Sequence, residues 1–143
     1  MNILVSSCLL GLNCRYCGNG CLSQAVQKLS SRHTIILVCP EQMGGLPTPR
    51  PPVELVNGRA VNKDGADCTG QFQKGAEEVL KLAKMFHCQY AILKCKSPSC
   101  GFGQIYDGTF SGKLTEGSGI TAGLLHKNGI TVFNENNADR LPE

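Results

Sequence analysis

The sequence predicts a single-domain α/β fold: a three-layer sandwich around a mainly parallel four-stranded sheet, with a small β-hairpin inserted. Three observations predict it. The 143 residues suit one globular domain, 1–143, against a prior of about 150 residues per domain. Short apolar runs alternate along the chain with segments whose apolar residues recur at helical spacing, the order of βαβ units. One Asn-Gly pair stands between two short apolar segments and signals a hairpin.

The elements follow in order. Asn2 to Ser7 is a short apolar segment broken at Gly11, and Ile35-Ile36-Leu37-Val38-Cys39 is a continuous run stopped by Pro40; both read as buried strands. Between them Leu22, Val26 and Leu29 share a helical face, predicting a helix over about 22–31. Residues 40–52 hold five prolines and Gly44-Gly45, so this stretch is expected as a stiff extended loop of functional interest. Val53–Val56 and Arg59–Val61 flank Asn57-Gly58 as a protruding β-ribbon outside the core. Phe72, Ala76, Val79, Leu80, Ala83 and Phe86 fall on one face of a long helix that Thr69 can cap. Tyr90–Leu93 reads as the third strand, 95–117 as a Gly/Ser-rich loop, Ser118–Lys127 as a helix and Ile130–Phe133 as the fourth strand. The last ten residues are expected to fray.

Composition removes several function classes. Charged residues make up 17% and hydrophobic ones 41%, which excludes an intrinsically disordered tail. The net charge is +3 and no two Lys or Arg are adjacent, too thin for tracking a polymeric nucleic acid but compatible with a small anion. The longest apolar run is five residues, far below the ~18 of a membrane span, and Met1-Asn2-Ile3-Leu4-Val5 has no basic leader. A cytoplasmic chain is expected, and in that reducing setting thiols serve metal binding or catalysis more often than disulfides. There are nine cysteines, an odd number, so at least one thiol is free.

Cys8 follows the first strand, Cys39 closes the second, and Cys95 and Cys100 follow the third, all at carboxyl ends, where open parallel sheets bind ligands. Cys8 and Cys39 also suit plain buried packing. Cys100, in Ser97-Pro98-Ser99-Cys100-Gly101, is expected in a loop without apolar partners, among hydroxyls and amides that stabilise a thiolate. Cys14-x2-Cys17-x3-Cys21 has spacing open to zinc, to an iron–sulfur cluster or to reduced loop thiols that pair in air, and no nearby histidine completes a tetrad. Cys68 and Cys88 read as packing residues. His33, His87 and His126 sit at predicted helix C-termini, away from the strand tips. No P-loop or dinucleotide glycine motif is present.

At these residues the chain resembles the thiouracil desulfidase family of short prokaryotic proteins. The resemblance rests on Ser6-Ser7-Cys8-Leu9-Leu10-Gly11, Cys14-Arg15-Tyr16, Cys39-Pro40-Glu41 through Pro52, Lys96 to Gly101, and Tyr106-Asp107-Gly108-Thr109-Phe110-Ser111-Gly112. Cys17 stands where the family usually has an acidic residue, and Cys21 and Cys95 are not family landmarks. The resemblance implies a [4Fe-4S] cluster held by Cys8, Cys39 and Cys100 with one open iron. It also implies non-redox desulfuration of a small thiopyrimidine, 2- or 4-thiouracil or its nucleotide. Within that reading Glu41 is the expected general base, Ser97 and Ser99 are expected to bond the pyrimidine or relay a proton, and Arg15 and Arg50 to offset cluster charge or hold a substrate phosphate. Two other readings make different predictions: a structural zinc module built on Cys14, Cys17 and Cys21, and a metal-free persulfide carrier using Cys100.

Overall fold

A computed structural model describes residues 1–142. Among them lie eight strands, β1 (Asn2–Ser6), β2 (Thr34–Val38), β3 (Val53–Val56), β4 (Arg59–Asn62), β5 (Tyr90–Ile92), β6 (Phe102–Tyr106), β7 (Leu114–Ser118) and β8 (Thr131–Phe133), and four helices, α1 (Gln24–Leu29), α2 (Pro40–Met43), α3 (Thr69–Met85) and α4 (Ile120–Lys127). The expected four-stranded sheet is present, in the order β2-β1-β5-β8, with every neighbour parallel.

Its side chains alternate between two cores, as period-2 geometry requires of a sheet covered on both faces. Leu4, Ala91 and Val132 pack with Val79 and Ala83 of α3 and Ala122 and Leu125 of α4. Ile3, Val5 and Ile92 pack on the other face with Val26 and Leu29 of α1. Ser23 caps α1, its hydroxyl accepting the Val26 N–H at 3.3 Å. No helix among the described residues is long and apolar enough to cross a membrane.

Five expectations are corrected. Residues 40–52 are not all loop: Pro40 occupies the first turn of α2, where its missing N–H costs nothing. Residues 95–117 are not all loop either, since β6 and β7 pair antiparallel from Phe102↔Ser118 to Tyr106↔Leu114. The β3–β4 ribbon turns at Asn57 (φ 51°) and Gly58 (φ 79°) as predicted. It is nevertheless no protrusion, because Val53 and Ala60 form a core with Cys68 and Phe72. Thr69 does not cap α3; its hydroxyl accepts the Ala60 N–H at 2.8 Å and so ties β4 to the helix. The chain's end is not frayed over the residues described: Ala138 and Leu141 are buried against β1 and α1, while Glu143 lies outside them.

Close backbone approaches at three glycines set distances that matter below. A methyl group at Gly44 would run into the Gln71 carbonyl, and one at Gly75 into the Pro40 carbonyl, so α2 lies backbone to backbone on α3. A methyl group at Gly119 would likewise strike the Ser99 carbonyl. There the first amides of α4 are satisfied by the preceding loop, Ile120 bonding the Pro98 carbonyl at 2.9 Å and Thr121 the Ser99 carbonyl at 2.9 Å.

Candidate active site

A cavity of about 470 Å³ opens at the carboxyl edge of the parallel sheet, lined by Ser6, Cys8, Cys14, Arg15, Tyr16, Cys39, Glu41, Arg50, Glu54, Lys63, Lys94, Cys95, Ser97, Cys100, Tyr106 and Phe110 among others. β1 runs to one side to pair with β2 and to the other with β5, and a crevice at such a switch point is where open α/β sheets bind ligands. Of the residues expected from sequence, Cys8, Cys39, Cys100, Glu41, Ser97, Arg15 and Arg50 all line it. Ser99 does not. It is buried, and its hydroxyl shares a 2.7 Å hydrogen bond with Thr121 of α4.

The thiols arrive on separate elements. Cys8 sits in a 3₁₀ turn, Ser7–Leu10, that continues β1. Cys39 is the residue between β2 and α2, and its Sγ lies 3.8 Å from the Cys14 carbonyl. Cys39 pulls the Cys14 pKa down, but Cys8 and burial outweigh it and raise the pKa. Cys39 keeps the proton of that pair, pushed far above the ordinary thiol range by Cys14 and by burial.

Cys100 corrects its expectation. Rather than resting among loop amides as a thiolate, it packs in the core with Leu93 and Ala122. Burial pushes its pKa up to about 12 despite the Ser6 hydroxyl 3.4 Å from its sulfur. Ser97 shapes this loop, its Oγ accepting the N–H groups of Ser99 at 3.1 Å and Cys100 at 3.0 Å.

One ion pair organises the other wall. The Arg50 side chain is 4% exposed and Glu41 15%. Arg50 gives Nε and Nη2 to Glu41 Oε2 at 2.7 and 2.6 Å, Nη1 to the Pro47 carbonyl at 3.1 Å and Thr48 Oγ1 at 2.9 Å, and Nη2 to the Cys14 carbonyl at 3.0 Å. Four of the five guanidinium N–H donors are thereby hydrogen-bonded, and the Nη2–Oε2 contact pairs the charges. Arg50 is a brace between the Cys14 loop and α2. Arg15, its guanidinium 5.7 Å from the Tyr16 ring centroid, lines the cavity without such commitments. Glu41 Oε1 accepts no hydrogen bond among the described residues, and since none of their buried side-chain oxygens lacks a partner, it opens on the cavity.

Sequence reasoning missed Cys14 as a site residue, along with Glu54, Lys63, Tyr106 and Phe110. Glu54 Oε1 accepts the N–H groups of Gly108 at 3.0 Å and Phe110 at 3.1 Å, holding the 107–112 turn over the cavity. Apart from the Cys14 and 106–112 motifs, nothing in the sequence pointed to these residues. No histidine lines the cavity.

The donor set fits an iron–sulfur cluster. Five thiols, Cys8, Cys14, Cys39, Cys95 and Cys100, line one cavity and are the soft ligands that clusters select; Cys8 and Cys39 directly follow β1 and β2, and Cys100 comes from the loop after β5. No group of three or more Cys, His, Asp or Glu among the described residues is arranged to hold a single metal ion, which a cluster does not require because each thiolate reaches a different iron. The same observation separates Cys14, Cys17 and Cys21. Cys14 is buried on the cavity, Cys17 is exposed, and Cys21 packs beside α1.

The sequence model of a family described as 2-thiouracil desulfurase matches residues 3–137. A Bacillus subtilis (strain 168) protein named uncharacterized protein YbbK is 44% identical over 144 residues, covering 94% of this chain and 95% of that one. A solved structure described as a [4Fe-4S]-dependent thiouracil desulfidase, TudS, superposes with a TM-score of 0.93 at 42% identity, over 98% of this chain and 94% of its own.

Proposed function

We propose, from the premise that the chain belongs to the 2-thiouracil desulfurase family, that it exchanges the sulfur of a thiolated uracil for the oxygen of water. The products are uracil and hydrosulfide, with no net redox change. The substrate is a small thiopyrimidine, 2- or 4-thiouracil as base or nucleotide, and the cofactor a [4Fe-4S] cluster held by Cys8, Cys39 and Cys100 in the reducing cytoplasm. The observation that carries this reading is that these three thiols and Glu41 line one cavity at the carboxyl edge of the sheet. With three protein thiolates for four irons, the bound cluster supplies one open, thiophilic Lewis acid toward the thiocarbonyl sulfur.

The chain's own groups do the rest. Glu41 Oε1 takes a proton from the attacking water, while Arg50 fixes Oε2 and prevents the carboxylate from turning away. Backbone contact of α2 on α3 holds that carboxylate's helix in place. Ser97 meets the pyrimidine edge from the Cys100 loop; Ser99 acts one step back, tying that loop to α4 through Thr121. Arg15 meets the phosphate when the substrate is a nucleotide. Because buried thiols must lose protons to become ligands, cluster loading releases protons and weakens as pH falls.

Anaerobic purification followed by iron and zinc analysis and assay with 2- and 4-thiouracil and their nucleotides tests the reading. Equimolar uracil and hydrosulfide without added oxidant or reductant are expected. A colourless zinc protein, or turnover that survives iron removal, contradicts it.

A further inference from the structure

Two residues that line the same cavity, Lys94 and Cys95, belong to a second cluster of reactive groups. Lys94 and Cys95 leave the carboxyl end of β5, and Glu135 follows β8, the adjacent parallel strand, so the sheet register brings the three together. Glu135 is held at both oxygens. Oε1 accepts the Cys95 backbone N–H at 2.8 Å, and Oε2 accepts the Lys94 ammonium at 2.9 Å and the Cys95 thiol at 3.3 Å. Lys94 Nζ also lies 3.4 Å from the sulfur.

A nucleophile in reach of a base that a third group orients is the arrangement of activated thiols and hydroxyls in catalysis. Burial works to lower the Lys94 pKa, but Glu135 outweighs it and raises it. Burial works to raise the Glu135 pKa, and Lys94 with nearby N–H groups more than reverses this. At neutral pH both are ionised, which sets a carboxylate 3.3 Å and an ammonium 3.4 Å from the Cys95 sulfur. None of the buried thiols above hydrogen-bonds a carboxylate or an ammonium.

The surroundings supply room for a ligand. Cys95 is half-buried in the wall between the large cavity and a second one of about 290 Å³, lined by Lys96, Gln104, Asn134 and Asn136. Asn136 Nδ2 lies 3.9 Å from the sulfur. Amides and an ammonium around a thiol suit a small polar molecule bearing carboxylates and amides.

We propose that Cys95 is an S-thiolation site, whose thiolate attacks the S–S bond of a small polar disulfide bound in the second cavity. The thiol proton passes to Glu135. A bond forms between Cys95 Sγ and one sulfur as the original S–S bond breaks, and the other half leaves as a thiolate that takes up the proton. One disulfide replaces another, so no further oxidant or reductant takes part. The inference does not depend on the desulfuration reading.

The test uses the anaerobically purified holoprotein with oxidised glutathione at neutral pH, followed by intact mass and peptide mapping. Cys17, the more exposed thiol, is the internal control. Cys95 is thiolated at least about tenfold faster than Cys17, and Glu135→Gln slows Cys95 by about 10- to 100-fold, the lower part of what a positioned base contributes, while Cys17 is unaffected. Glu135→Asp restores part of the rate. Where Glu135→Gln fails to fold, Lys94→Gln serves, with Cys95 again slowed against Cys17. Equal thiolation of the two cysteines, or a Cys95 rate untouched by these variants, overturns the proposal.

Discussion

At the β1–β2 corner of the carboxyl edge, sulfur stands with sulfur: Cys8, Cys14 and Cys39 line the cavity together, and Cys14 and burial hold the Cys39 thiol far above its ordinary range. At the β5–β8 corner, sulfur faces charge, with Cys95 between the Lys94 ammonium and the Glu135 carboxylate. Both corners carry one ion pair, but Arg50–Glu41 stands beside its thiols and braces the loops around them, whereas Lys94–Glu135 touches its thiol directly. The difference separates two kinds of chemistry. Thiols kept neutral by burial and by one another must give up their protons when a metal binds them; a thiol beside a carboxylate and an ammonium has the neighbours that the proposed exchange uses.

The strongest way to break the comparison is Glu41→Gln. If Glu41 is the base at the first corner, kcat for thiouracil falls by about 10²–10⁴-fold while iron content and folding are unchanged; a loss below about threefold would return Glu41 to a solvated loop carboxylate. Arg50→Met comes next. It leaves the Glu41 carboxylate buried without its partner and the Cys14 carbonyl without a donor, so urea unfolding should show a loss of about 3–5 kcal/mol. Lys94→Met is milder, about 1–3 kcal/mol by the same measurement, because one charged partner is lost but Glu135 keeps its N–H bond from Cys95.

The same ion pair gives the smallest effect, a pH dependence. The folded protein holds the Glu135 carboxyl below its ordinary value of 4.5, so its stabilisation is complete above that value and is lost as pH falls through the lower folded pKa. Unfolding midpoints of wild type and Glu135→Gln should converge below pH 4.5 and separate above it; a constant gap would remove the charge from the account.

How much of this was legible in the sequence depended on how local the cause was. The four sheet strands and the sulfurs at their ends follow from apolar runs with sharp stops, and the β3–β4 turn follows from Asn57-Gly58, whose positive φ values only a few residue types accept. The β6–β7 ribbon escaped because Phe102-Gly-Gln-Ile-Tyr and Leu114-Thr-Glu-Gly-Ser each contain a glycine and together carry as many polar as apolar side chains, with no sustained apolar run. α2 escaped because prolines further along hid that Pro40 begins a helical turn. Cys14 and Glu135 escaped for a different reason. Cys14 is set by an Arg50 bond 36 residues away and Glu135 by contacts about 40 residues away, distances at which side-chain spacing carries no signal. Resemblance to a family supplied the expected cluster and ligands; the fold shows that those three thiols line one cavity.

In the proposed function Cys8, Cys39 and Cys100 ligate a cluster and Cys14, which lines the same cavity, does not. Iron and acid-labile sulfide analysis with visible spectroscopy on anaerobically purified single Cys→Ser variants tests it most directly. Cluster content should be lost in the variants at 8, 39 and 100 and retained in Cys14→Ser; a cluster that Cys14→Ser abolishes, or that any one of the other three leaves intact, would contradict it.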